Sequence, residues 1–149
     1  MSNFLNLYVI MIETKLESTI AEVVEQGIKI LVKNVGTVLT KIKEEYVPLL
    51  DELIKNLTGE TKGIAFGKTT ELLDMKTLVS MAKQYVTPNS NEIVALRTKE
   101  DDGYIIYLAY SKDRQLLPTE DNNYLIIKAD ALDKDVEALF EESELVILK

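Results

Sequence analysis

Residues 92–110 read EIVALRTKEDDGYIIYLAY, and this stretch decides the fold. Two alternating runs, Glu92–Thr98 (EIVALRT) and Tyr104–Tyr110 (YIIYLAY), flank the polar string Lys99-Glu100-Asp101-Asp102-Gly103. A period of two buries one face of a strand, and Asp-Gly supplies the positive φ that a tight hairpin turn needs. The second run is apolar or aromatic on both faces, so it is expected at the centre of a sheet. Tyr104 and Tyr110 then share one face and Tyr107 takes the other. Downstream, a polar loop from Ser111 to Asn123 leads to a third strand at 124–129. A short amphipathic helix is expected at 131–142, with Leu132, Val136, Leu139 and Phe140 inward, and a last strand at 145–148.

Upstream of the loop Thr87-Pro88-Asn89-Ser90-Asn91 the period changes to that of a helix. From Leu16 to Leu57, the positions Leu16, Ile20, Val24, Ile28, Leu31, Val35, Val38, Ile42, Tyr46, Leu49, Leu53 and Leu57 advance by threes and fours. One helical stripe uses that spacing and a strand cannot. Asn34-Val35-Gly36-Thr37 reads as a stop followed by a threonine cap, and Pro48 fits the first turn of a helix. Helices are therefore expected at 13–33, 37–57 (with a kink before Pro48) and 74–86, the last capped by Asp74. Gly27 weakens a helix interior or lets a neighbour approach closely. The fold expected is α+β in a single domain, a helical half at 1–88 on a small, mainly antiparallel sheet at 89–149.

The 149 residues contain no histidine, cysteine or tryptophan. A Ser-His-Asp triad, a Cys-His dyad and a structural zinc site held by Cys or His are thereby excluded within one chain. With 25 acidic against 17 basic residues the net charge is −8, the wrong sign for a phosphate-tracking surface. Neither nucleic acid nor a cofactor is expected. Phe4–Ile12 (FLNLYVIMI) lacks the flanks of a signal peptide and is far short of a membrane span, so no span and a cytoplasmic location are expected. That segment reads as a buried strand or first helical turn, or as a contact segment.

Two strings imitate binding motifs. Gly63-Ile-Ala-Phe-Gly67-Lys68-Thr69 falls one residue short of a phosphate-binding loop, and a connector holding a short strand at Ile64–Phe66 is the plainer reading. Asp133–Glu144 spaces its acids as a calcium loop does, but Ala138 stands where the sharp turn requires glycine. No metal site is expected. What remains is surface: a second apolar stripe (Ile30, Leu39, Val47, Leu50, Ile54) on the helices, and tyrosines on the strands. Tyrosine is enriched at interfaces, and an unburied helical stripe must find a partner or a second copy. The expected contact residues are Leu31, Val38, Ile42, Tyr104, Tyr107, Tyr110 and Tyr124. The function expected is a non-enzymatic, self-associating protein–protein interaction module of the adaptor, inhibitor or immunity-like kind. A small-ligand sensor with a tyrosine-lined pocket between helices and sheet is the alternative, and a P-loop-like or carboxylate enzyme is the third class.

Overall fold

The computed structural model describes residues 22–59 and 64–149. The Phe4–Ile12 segment, the first part of the expected 13–33 helix and Gly63 lie outside the described residues. Within them the chain is helical over 22–39 (α1). A 3-10 turn, Glu44–Tyr46, leads into α2 (Val47–Thr58). There follow β1 (Ile64–Leu73), α3 (Met75–Gln84), β2 (Glu92–Glu100), β3 (Gly103–Lys112), the short β4 (Gln115–Leu116) and β5 (Asn123–Leu132). The helix α4 (Lys134–Leu139) and β6 (Leu145–Leu148) complete the chain.

The six strands form one sheet in the order β1-β5-β3-β2-β6, with β4 paired to β3. All neighbouring pairs are antiparallel except β1 with β5, which run parallel with Ile64 beside Asn123 and Leu73 beside Leu132. The class is α+β, as the periods predict. The hairpin of β2 and β3 sits where the sequence puts it, with Glu100 beside Gly103 across the turn, and β3 is central.

Helices cover both faces of the sheet. On one face α1 and α2 set Val23, Leu31, Val38, Leu50, Leu53 and Leu57 against Val94, Leu96, Tyr107 and Ile126. On the other, Leu78, Met81 and Ala82 of α3 and Val136 of α4 meet Ala95, Ile106, Leu108 and Ile127. Alternate residues of β2, β3 and β5 thus enter different cores, which explains their continuous apolar runs. Gly27 lets α1 close on the sheet: a Cβ there would stand 2.6 Å from Ile126 Cγ2.

Several boundaries differ from the sequence reading. No stop falls at Asn34–Thr37; α1 continues through Gly36, where a Cβ would meet open space, and ends where Thr40 Oγ1 donates to the Thr37 carbonyl. The expected 37–57 helix is therefore divided, with Pro48 in the first turn of α2. The helix at 74–86 is shorter but correctly capped, Asp74 Oδ1 accepting from Thr77 N–H at 2.7 Å. The helix at 131–142 shrinks to α4, because β5 runs on to Leu132 and Asp133 caps the helix. The largest correction is β1: the expected three-residue strand spans ten residues and joins the sheet.

Candidate interaction surface

The seven expected contact residues do not converge on one surface. Leu31 and Val38 are buried against the sheet and Ile42 is half-buried beside them. Tyr107 and Tyr124 lie in the same core. Tyr107 donates its hydroxyl to the Gly27 carbonyl at 2.7 Å, tying β3 to α1, and Asn56 Nδ2 donates to the Tyr124 hydroxyl at 2.8 Å, tying β5 to α2. Tyr104 belongs to the opposite core, and Tyr110 donates to the Ala82 carbonyl of α3. Tyr107, Tyr110 and Tyr124 thus serve as polar pins between layers, each with its ring buried and its hydroxyl hydrogen-bonded.

Burial pushes the Tyr110 phenol up to about 12, and it raises Tyr107 and Tyr124 as well. A folded-state value above the unfolded value of 10.0 means that the folded chain holds the proton longer. The stability these groups contribute is complete below pH 10 and falls as pH rises through that value toward 12. Alkaline titration followed by phenolate absorbance and circular dichroism should show part of the seven tyrosines ionising only as the fold is lost. Ionisation of every tyrosine near pH 10 with the fold intact would contradict this.

One buried ion pair was not anticipated. Arg97 Nε and Nη2 donate to the two carboxylate oxygens of Glu144 at 2.9 and 2.8 Å. The side chains are 9% and 13% exposed, and the Glu144 bond holds Arg97 more firmly protonated. The guanidinium also lies over the rings of Tyr104 and Phe140, 5.6 and 5.3 Å from their centres. Arg97 N–H further donates to the Glu144 carbonyl at 2.8 Å. Glu144 is thus a clasp between β2 and the segment entering β6. It does not close a calcium loop: most of Asp133–Glu144 is helix and its cap. Among the described residues no group of three or more acidic side chains is placed to hold a metal ion.

A second polar cluster holds the β3–β4 turn. Asp113 and Arg114 have φ of 51° and 66°, the left-handed pair of a two-residue hairpin. Arg114 N–H donates to Glu92 Oε1 at 3.0 Å, and Asn91 exchanges hydrogen bonds with Asp113. The Arg114 side chain stays half-exposed, 3.7 Å from Glu45. Glu92 and Ser111 face each other in the β2–β3 register, and Glu92 Oε2 and Ser111 Oγ are buried without hydrogen-bond partners.

The exposed large apolar side chains include Val32 and Leu39 on α1, Val79 of α3, Val86 beyond it, and Ile64 and Leu72 on β1. Ile64 and Leu72 are 60% and 55% exposed, and they stand on a strand with no neighbour on its outer side among the described residues. Gly67-Lys68-Thr69 lies inside that strand, in register with Ile126-Ile127-Lys128. Its backbone is extended and does not wrap as a phosphate loop requires. Along β1 the apolar residues are few and are interrupted by Lys68 and Glu71, so periodicity marks only Ile64–Phe66 as strand.

An open groove of about 310 Å³ runs beside β6, lined by Lys43, Tyr46, Glu142, Ser143 and Ile147 among others. Of the expected tyrosines, none lines it. Among the described residues no helix is long and apolar enough to cross a membrane. Comparison with protein families, curated proteins and solved structures finds no match to this chain.

Proposed function

We propose that this chain is a non-enzymatic protein–protein interaction module that self-associates, an acidic adaptor, inhibitor or immunity-like protein with the cytoplasm as its expected location. The observation that carries the reading is the outer edge of β1. Ten residues of backbone end the sheet there with no strand on their outer side among the described residues, and Ile64 and Leu72 lie more than half exposed along them. An open edge of that length is a template for another strand. The helical stripes no longer support the proposal, since Leu31, Val38, Leu50 and Leu53 face the chain's own sheet. Nor do the tyrosines support a ligand pocket, since Tyr107 and Tyr124 fill a core.

Sedimentation of the full chain over a range of concentrations tests the proposal. A reversible dimer or larger species is expected, and Ile64→Lys with Leu72→Lys should weaken it. Those exposed positions should change folding stability by only about 0.5 kcal/mol each. Charges at Leu31 or Val38 would instead enter a core and unfold the chain, so they do not probe association. A protein that stays monomeric at every concentration would remove the self-association reading.

A further inference from the structure

We propose that the groove beside β6 takes an extended, basic segment of another protein, which adds as a strand to the outer edge of β6. The site lies at the opposite end of the sheet from β1 and does not depend on self-association. Its backbone is set for the purpose. Arg97 N–H donates to the Glu144 carbonyl at 2.8 Å, which fixes the phase of the β2–β6 ladder. Opposed residues alternate between bonded and non-bonded pairs, so Leu96–Leu145 and Val94–Ile147 are non-bonded. Leu145 and Ile147 therefore turn their N–H and C=O groups away from β2, and both residues line the groove.

The chain itself makes the first rung on this outer side. Glu144 N–H donates to the Lys41 carbonyl at 3.0 Å, and Lys43 N–H donates to Ser143 Oγ at 3.4 Å. Past Lys43 the backbone leaves for the 3-10 turn Glu44–Tyr46, and no strand stands beyond β6 among the described residues. Leu145 N–H turns back to Ser143 Oγ at 3.3 Å, so the Leu145 carbonyl and both groups of Ile147 are the next rungs on offer. The edge has a bank on each face of the sheet. Tyr46 packs with the core under α1 and α2, and Leu139 with the core under α3 and α4. An added strand would send alternate side chains to the two banks, which is how strand addition gains specificity.

Charge selects the occupant. The lining carries one lysine against two glutamates: Lys43 Nζ lies 3.5 Å from Glu142, and Glu141 is exposed with no ion-pair partner among the described residues. The whole chain carries −8, which draws in a basic segment and repels an acidic one.

Three labelled heptapeptides test the proposal, with valine alternating with lysine, with serine or with glutamate. At low salt the full chain should bind the lysine peptide at least about tenfold more tightly than the other two. Amide shift changes should fall on residues 41–46 and 141–148. Glu141→Lys with Glu142→Lys, both exposed, should abolish the preference for lysine with circular dichroism unchanged. Ile147→Pro removes an outward N–H and spares the bonded pairs to β2, so it should weaken binding of the lysine peptide. Should that variant fail to fold, the shift map and the charge reversal still decide. Equal affinity for the three peptides overturns the basic occupant, and undiminished binding to a folded Ile147→Pro overturns strand addition. Shift changes centred on β1, or no binding by any peptide, overturn the site. Sedimentation of the chain alone decides self-association separately.

Discussion

Replacing Glu144 with alanine is expected to destabilise the fold by about 3–5 kcal/mol, the range for removing one partner of a buried ion pair. The reason is what stays behind. Arg97 would keep its charge beneath Phe140 and Tyr104 with both hydrogen bonds to the carboxylate gone. The backbone bond from Arg97 N–H to the Glu144 carbonyl persists, so the loss reports the side-chain pair. Removing both charges together, as Arg97→Met with Glu144→Leu, should recover most of the stability, since well-packed apolar replacements of buried pairs are often neutral or stabilising. Urea unfolding of the two single variants and the double variant gives the coupling energy directly. A Glu144→Ala loss below about 1 kcal/mol would mean that the pair behaves as an exposed one.

The second large effect is expected at Leu53. Its side chain is fully buried where α2 meets α1 and the sheet, so Leu53→Ala should cost about 2–5 kcal/mol, from lost transfer energy and the cavity left behind. Val32→Ala, on the exposed side of α1, should change stability by no more than about 0.5 kcal/mol. Equal losses at the two positions would contradict the burial of the α2 stripe against this chain's own sheet. The comparison also decides how the helical apolar surface is used, which periodicity alone left open.

Periodicity made the hairpin, the central β3 and the cap at Asp74 legible, because each depends on neighbours in sequence. It placed Tyr104 and Tyr110 opposite Tyr107 for the same reason, and the pins to Ala82 and Gly27 follow that division. It misjudged Gly36, where a glycine in a solvent-facing helix position costs about 1 kcal/mol and the packing of Leu31 and Val38 outweighs it. It did not foresee helices on both faces of the sheet, since that depends on where α3 crosses. It reduced β1 to three residues because an edge strand half open to water has little apolar alternation to display. The Arg97–Glu144 clasp joins positions 47 apart, and no local pattern records such a pairing.

The parallel pairing of β1 with β5 has a kinetic consequence. β2 and β3 meet across a short turn, but Ile64 must find Asn123 after the intervening helix and hairpin have been made. Distant pairings carry the larger loop-closure entropy and form late, and a strand held from one side opens first. β1, like the four-residue edge strand β6, is thus among the last pieces of the sheet to arrive and the first to leave. Its amides should exchange with solvent faster than those of β3, and any occupant of its outer edge would slow that exchange by closing the ladder from the other side.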